Sequence, residues 1–404
     1  MTALADAVER DPLGTELVKI SLAAWAHLPN LVADYMGPHE WLLESRRQEV
    51  NLGELLLRAQ ALATQAEAGG DAYVAIQARA IATQIEVAAD PEVYSYIELV
   101  ERLLACRFAP PDQDELKALE REVTGLARQL GNSGADPVRD HERRGLIDGE
   151  EKWDTALDAY RAGRRWALQE FPIAFREELD IGRTRDPIAS VHLLWREPDR
   201  MVFEVNVGVP RMPATIKYEV AHNIYPGDYL HMAILSQRTY ALEGRLAACI
   251  KLKNAPENVI AEGIEELAPF RLEPDHSAEE ELAWKVEWLR RGACLTAAVR
   301  RRQHAEPRAD VLSHLELMGH MDQDRASLEL NRIEHPLWGT YQYTYWLGRH
   351  LVQESDQRAG AAVSSAEYLG WLYGDLHVPE TYLAAAPTSL SSAGLRSAST
   401  PANS

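Results

Sequence analysis

Apolar side chains recur at three- and four-residue spacing along much of the chain. This period is typical of amphipathic helices that bury one face. In the first third it predicts helices over residues 15–35, 46–68, 72–90, 92–106 and 113–131. In the second half it predicts helices over residues 257–270, 278–302, 308–333, 338–354 and 364–375.

Two short segments near the middle break this helical pattern. Residues 188–195 and 201–207 are rich in β-branched and aromatic side chains, and a turn-forming stretch containing Pro198 joins them. In the second segment apolar and polar side chains alternate, as in a half-exposed strand. We therefore predict a mainly α fold with a small β-hairpin or edge sheet over residues 188–207, beside a cleft.

The composition changes at two places and predicts a division of the chain. Residues 131–137 read GNSGADP, and a charged stretch follows as far as Glu151, which is typical of an exposed loop. The predicted regions are an N-terminal helical region, 1–130, and a second region, 150–385, either as two units or as one continuous domain. The small polar residues of 386–404 predict a disordered tail.

The charge excludes several classes of partner. The 404 residues include 62 acidic and 42 basic side chains, which gives a net charge of -20. Such a field repels phosphate backbones and anionic lipid surfaces, so we expect neither a nucleic-acid nor a membrane partner. The three cysteines are too few for a disulfide framework, and we find no signal peptide or membrane span, so a cytoplasmic location is expected.

The segment from His222 to His231, HNIYPGDYLH, contains the most informative chemistry. The Pro-Gly pair inside it should interrupt a helix and can bring His222 and Asp228 to one side. Asp228 and His231 are three residues apart and share a helix face. Glu262 lies on a second helix, with further glutamates one turn later. One or two histidines with one or two carboxylates form a suitable shell for Zn²⁺, Fe²⁺ or Mn²⁺.

The alternative is that these are ordinary polar residues near helix ends. The chain has 13 histidines, so some proximity between histidine and aspartate arises by chance.

The segment resembles the metal-binding signature of the bacterial domain of unknown function 885 family, a gluzincin-like group akin to helical zinc carboxypeptidases and oligopeptidases. The family pattern is His-Glu-x-x-Pro-Gly-His-His-Leu-Gln, with a downstream Glu-Gly that supplies the last ligand. This chain matches it at His222, Pro226-Gly227, Leu230 and Glu262-Gly263. A later family segment, Pro-Gly-Gln-x-x-Ser-Tyr-x-x-Gly, resembles residues 339–348. The landmarks cover about residues 185 to 355.

The resemblance implies a large helical metallopeptidase-like fold and assigns roles to individual residues. The implied metal ligands are His222, Asp228 and Glu262. The implied proton-transfer residues are His231 and Glu265. The implied donors to an oxyanion are Tyr345 and Tyr341.

Two departures from the family pattern alter the expected chemistry. Asn223 stands where the general-base glutamate belongs, and an amide cannot accept a proton from metal-bound water. Asp228 replaces the second histidine ligand and makes the donor set harder, which shifts the preference from zinc toward iron or manganese. His231 occupies the family's glutamine position and can serve as a substitute ligand or base.

The function predicted from the sequence is that of a divergent metal-dependent hydrolase or lyase. We expect it to act on a small-molecule, amide- or peptide-like substrate, with a divalent metal, zinc or alternatively iron or manganese, as Lewis acid. Two alternatives remain: a catalytically inactive metallopeptidase-like binding protein, and a non-haem iron or manganese enzyme that uses one histidine and two carboxylates.

Overall fold

The computed structural model describes residues 2–48, 50–171, 179–185, 190–196, 200–360 and 363–387, and it confirms the mainly α fold. The helices of the N-terminal half are α1 (Thr2–Arg10), α2 (Pro12–Trp25), α3 (His39–Ser45), α4 (Leu52–Gly69), α5 (Ala72–Ala89), α6 (Tyr96–Leu104), α7 (Gln113–Gln129), α8 (Pro137–Arg144) and α9 (Gly149–Glu170). The helices of the C-terminal half are α10 (Pro213–Asn223), α11 (Asp228–Ile234), α12 (Pro256–Leu272), α13 (Ala278–Ala298), α14 (Arg308–Met318), α15 (Gln323–Glu334), α16 (Trp338–Ala359), α17 (Ser365–Gly374) and α18 (Pro379–Ala385).

The strands form two small sheets. They are β1 (Val32–Tyr35), β2 (Leu179–Thr184), β3 (Val191–Arg196), β4 (Arg200–Asn206) and β5 (Ile250–Leu252). Strands β3 and β4 pair antiparallel and confirm the predicted hairpin, although residues 188–189 and its turn, 197–199, lie outside the described residues. Strand β3 also contacts α10.

Strands β2, β1 and β5 were not predicted. Strand β2 pairs parallel with β4. Its sequence, LDIGRT, contains only two large apolar side chains and so carries little strand signal. Strand β1 pairs antiparallel with β5 and lies inside the predicted helix 15–35. That helix ends at Trp25 because Pro29 cannot continue it.

Several other boundaries differ from the prediction, and two of these differences have a clear local cause. The predicted helix 308–333 is two helices, because Gly319 ends α14 and Asp322 caps α15 by accepting a hydrogen bond from the Arg325 N–H. The predicted exposed loop contains α8, where Asp136 caps the first turn and Pro137 begins it. The proposed tail lies largely outside the described residues, since these end at 387.

Two clusters of buried apolar side chains make up most of the core. One joins α2, α4 and α5 to residues 246–255. The other extends from α6 to α18 and surrounds α10, α12 and α16. The division of the chain near residues 130–150 stays a prediction. In the described part of the chain, no helix is long and apolar enough to cross a membrane.

Helices α12 and α16 cross at two glycines. A Cβ atom at Gly348 would lie 1.9 Å from the Val259 carbonyl oxygen, and one at Gly263 would lie 2.3 Å from the Gly348 carbonyl oxygen. A side chain at either position would collide with the backbone of the other helix, and only a shift of a whole helix could relieve the collision. The two glycines therefore set the separation of α12 and α16.

Glu257, in the first turn of α12, links the two apolar clusters. It is 4% exposed, and its Oε2 accepts hydrogen bonds from the Tyr73 hydroxyl at 2.8 Å and the Gln77 amide at 3.2 Å, both on α5. Burial raises the pKa of Glu257 from its ordinary value of 4.5 to about 7.

Gly348→Ala should destabilise the protein by about 3 kcal/mol, since the added methyl group would separate α12 from α16. Gly125→Ala on α7 is the matched control, because a Cβ there meets nothing within 4 Å. It should stabilise by about 0.5–1 kcal/mol through its higher helix propensity. Urea unfolding monitored by circular dichroism measures both. Equal stability of the two variants would contradict the close crossing.

Glu257→Gln should remove a pH dependence of stability. The folded pKa of Glu257 is raised, so its contribution is fully present below about pH 4.5 and is lost as the pH rises through about 7. Relative to wild type, the variant should therefore gain on the order of 3 kcal/mol between pH 4.5 and pH 8. Denaturant unfolding at several pH values measures this. Glu92→Gln, at an exposed position, is the control. If stability varied with pH in the same way in wild type and both variants, the raised pKa of Glu257 would be refuted.

Candidate metal site

The end of α10 positions His222. The helix stops at Asn223, and the chain turns through Tyr225-Pro226-Gly227 before α11 begins at Asp228. This confirms the interruption predicted at the Pro-Gly pair. A Cβ at Gly227 would lie 1.8 Å from the His222 carbonyl oxygen, so only glycine allows α11 to start this close to His222.

Helix α12 supplies the carboxylates. Glu262, Glu265 and Glu266 are three and four residues apart, so they share one face of the helix. All three are buried, with residue exposures of 4%, 3% and 0%. Glu266 accepts hydrogen bonds from the Tyr218 hydroxyl at 2.8 Å and from Arg291 at 3.3 Å, so its oxygens are engaged.

His222, Glu262 and Glu265 form the group whose ligand atoms face one another. The Nε2 atom of His222 lies 3.6 Å from Oε2 of Glu262 and 3.3 Å from Oε2 of Glu265. Two ligands bound about 2.0–2.1 Å from a tetrahedral ion are separated by about 3.3–3.4 Å. His222 Nε2 therefore lies close to this separation from one oxygen of each glutamate, and the ligand atoms of all three side chains lie within 4.8 Å of one another.

Hydrogen bonding and charge also fit a cation at this position. Buried Oε2 of Glu262 has no hydrogen-bond partner among the described residues. Four carboxylates, those of Asp228, Glu265, Glu262 and Asp34, act on the Lys251 ammonium. Burial, with repulsion from Asp228, raises the pKa of Asp34 to about 6, and the same causes raise the pKa of Glu265 well above its usual range. A divalent ion would balance this excess of negative charge.

Asp228, a predicted ligand, binds Lys251 instead of joining this group. Its Oδ1 accepts a hydrogen bond from the Lys251 ammonium at 2.6 Å, and the same ammonium donates to Oε1 of Glu265 at 3.1 Å. Burial alone would raise the pKa of Asp228, but the nearby Lys251 lowers it. The structure thus brings together His222 and Glu262 as predicted and places Glu265, predicted as a proton-transfer residue, where Asp228 was expected.

His231 is buried away from these ligand atoms. Its ring packs edge-on against Tyr373, with centroids 6.0 Å apart, and neither ring nitrogen has a hydrogen-bond partner among the described residues. The pKa of His231 is lowered to about 3, mainly by burial and secondly by the positive charge of Lys251. The imidazole is therefore neutral at physiological pH and a weak base.

The two predicted tyrosines lie beside the site on α16. The Tyr341 hydroxyl donates a hydrogen bond to Oε1 of Glu262 and accepts one from Asn258 at 3.2 Å. The Tyr345 ring lies 6.3 Å from the His222 ring, and the Arg291 guanidinium stacks on it at 3.5 Å. The Tyr345 hydroxyl makes no hydrogen bond within the described residues. Of these two tyrosines, Tyr345 is therefore the one whose hydroxyl donates no hydrogen bond to another described residue.

Asn223 does not contribute to the group. Its side-chain amide donates a hydrogen bond to the Glu219 carbonyl oxygen in the preceding turn at 2.7 Å. The side chain of Asn223 is thus hydrogen-bonded to its own helix.

Sequence reasoning missed Lys251, the cation that orders Asp228 and Glu265. A signal was present, because this lysine stands alone in the apolar run Leu246–Leu252. A single charge in a buried strand needs a partner, and Asp34 occupies the opposite register position on β1. The pairing of β1 with β5 joins residues that are far apart in sequence, so the partner could not be read from the pattern.

Lys251→Met should destabilise the metal-free protein by about 3–5 kcal/mol, because it leaves Asp228 and Glu265 buried without their cation. Lys253→Met, two residues later, is the control. That ammonium lies over the Trp338 ring at 5.1 Å, and its loss should cost about 1 kcal/mol or less. Chemical denaturation at pH 7 compares the two. A Lys251 variant as stable as the Lys253 variant would show that the buried pairs are unimportant.

Comparisons with known proteins find solved structures with a similar fold. No family model and no curated protein matches the chain. The structure of a putative lipoprotein from Colwellia psychrerythraea matches with a TM-score of 0.59 and 13% identity, over 85% of this chain and 65% of that chain. A putative lipoprotein of unknown function from Shewanella oneidensis matches with a TM-score of 0.53 and 11% identity, over 86% and 69%. At these identities the similarity concerns the fold alone.

Proposed function

We propose that the protein is a divalent-metal-dependent hydrolase or lyase that acts on a small amide- or peptide-like substrate. His222, Glu262 and Glu265 are the proposed ligands. The observation that supports this most directly is the approach of His222 Nε2 to one oxygen of each glutamate, at 3.6 and 3.3 Å. When bound, the ion would supply Lewis-acid chemistry by polarising a carbonyl group and lowering the pKa of a water molecule.

Tyr345 is the proposed donor to the substrate's carbonyl oxygen. Its hydroxyl is uncommitted among the described residues, and burial raises the pKa of Tyr345 above its usual range, so the hydroxyl keeps its proton. Stacking with Arg291 holds the ring beside His222. Tyr341 instead holds Glu262 in place through its hydrogen bond to Oε1. A donor fixed before the reaction stabilises developing negative charge effectively.

Asp228 is the proposed proton acceptor. Asn223 cannot take a proton, and the ring of His231 packs against Tyr373, away from the proposed ligand atoms. Lys251 lowers the pKa of Asp228, so its carboxylate is ionised and can accept a proton. Asp228 has a side-chain exposure of 17%, greater than the 3% of Glu265, so a small molecule can reach it more easily. Lys251 holds one oxygen of Asp228 and leaves the other to receive the proton.

The donor set also favours a second candidate, an iron or manganese enzyme. One histidine with two carboxylates is a harder set than the two histidines and one glutamate of many zinc hydrolases, and harder donors suit iron and manganese better. Metal identity separates the candidates: zinc supports hydrolysis, and iron or manganese supports redox or oxygen chemistry. Absence of all of these ions would instead favour the catalytically inactive, metallopeptidase-like binding protein.

Wild-type protein from metal-replete cells should retain about one divalent ion per chain after dialysis. His222→Ala, Glu262→Gln and Glu265→Gln should each weaken metal affinity by about 100-fold or more, or roughly 3 kcal/mol, since each removes a proposed ligand. Elemental analysis identifies the ion, and competition with a chromogenic chelator measures the affinity.

Two variants serve as comparisons for this titration. Glu257→Gln changes a buried glutamate on the same helix outside the group and should leave affinity unchanged. Asp228→Asn should weaken binding by only about 10-fold, because Asp228 acts through Lys251. If Asp228→Asn lost the metal and Glu265→Gln kept it, the ligand set read from the sequence would replace the one proposed here. Metal-free wild type would overturn the proposal.

A further inference from the structure

Arg349 on α16 is a partly buried cation that lacks an ion pair within the described part of the chain. Among the described residues it makes no hydrogen bond and no ion pair. Its guanidinium instead lies against two aromatic rings, 4.4 Å from the centroid of Trp288 and 5.0 Å from that of Phe270. Trp288 is fixed in turn by stacking on Trp346, with centroids 4.3 Å apart and an interplanar angle of 2°. The rings hold the guanidinium, and its N–H groups have no hydrogen-bond acceptor among the residues that the structure describes.

Neighbouring arginines are paired. Arg271 binds Asp356 at 2.9 Å, Arg290 binds Glu142 and Glu287 at 2.8 Å, and Arg291 binds Glu266 at 3.2 Å. In a chain with a net charge of -20, acidic side chains are abundant, so an unpaired arginine in a half-buried place is unusual. Burial lowers the pKa of the Arg349 guanidinium, which marks a location where water screens its charge weakly.

Arg349 lies one helical turn beyond Tyr345 on α16, and such positions share a helix face. Its electrostatic neighbours are Glu266 and Tyr218. The ring of Tyr218 stacks with the His222 ring at 5.9 Å. Arg349 and the proposed ligand His222 therefore share Tyr218 as a neighbour.

We propose that Arg349 binds a carboxylate of the substrate, so that the substrate class is a small amide that carries a free carboxylate, such as an N-acyl amino acid or a short peptide. This rests on the metal-dependent function proposed above. The planar guanidinium matches a carboxylate through two parallel N–H···O bonds. A single arginine beside Glu266 suits a monoanion better than a phosphate dianion, which requires further donors.

Hydroxamate probes of matched length test this, because their hydroxamate group binds metal ions directly. The zinc-loaded protein is titrated calorimetrically with the monohydroxamates of malonic, succinic, glutaric and adipic acids. The matched uncharged probes keep the hydroxamate and carry a carboxamide in place of the free carboxylate. At the best length, wild type should bind the carboxylate probe about 10-fold or more tighter than the uncharged amide. Arg349→Met should abolish that preference and keep the zinc affinity of wild type.

The control is Arg358→Met, an exposed arginine on the same helix that pairs with Glu354. It should keep the full preference for the carboxylate probe. Equal binding of the acid and amide probes by wild type, or an unchanged preference in Arg349→Met, would overturn the assignment. If wild type binds no zinc, the metal proposal fails. Ligand-observed NMR with the monoanion succinamate and the uncharged succinamide then decides the role of Arg349. Selective binding of succinamate that Arg349→Met abolishes supports it, and no selectivity refutes it.

Discussion

The close crossing of α12 and α16 is the constraint on which the site depends. Gly263 and Gly348 let the two backbones meet, with a hypothetical Cβ at Gly348 only 1.9 Å from the Val259 carbonyl oxygen. At this separation Tyr341 reaches Glu262, and Tyr345 reaches the side of His222. A wider crossing would remove the tyrosines from the carboxylates. The family resemblance includes both glycines, and their steric role gives that part of the pattern a physical reason.

A second constraint is the concentration of acidic groups in a dry interior. Ionised carboxylates are costly to bury unless cations compensate them. Lys251 compensates Asp228 and Glu265 in part, and Arg291 compensates Glu266. Oε1 of Glu262 accepts a hydrogen bond from the Tyr341 hydroxyl, while Oε2 has no hydrogen-bond partner among the described residues. Such a group is stable either with protons on its raised-pKa members or with a bound cation, which links metal affinity to pH.

Much of the fold could be predicted from the sequence, because helical periodicity and strand alternation are local signals. The hairpin of β3 and β4 and the break between α10 and α11 followed from such signals. The three candidate ligands, His222, Asp228 and Glu262, were found by aligning the sequence with the metal-binding pattern that it resembles. What escaped prediction depends on contacts between separate elements. The pairing of β5 with β1, about 220 residues earlier, places Asp34 opposite Lys251. No local pattern could show that Asp228 would bind Lys251, or that Glu265 would face His222.

The position of Asp228 explains how the site can differ from the resembled pattern without losing a ligand set. In the proposed metal site, two carboxylates three residues apart on α12 would provide two donors, so α11 need not contribute one. Asp228 is then free to hold Lys251, and the donor set becomes more anionic. An anionic substrate would be repelled by such a set unless a cation away from the carboxylates held its charged end. Arg349, the aromatic-bound guanidinium one turn beyond Tyr345, meets that requirement.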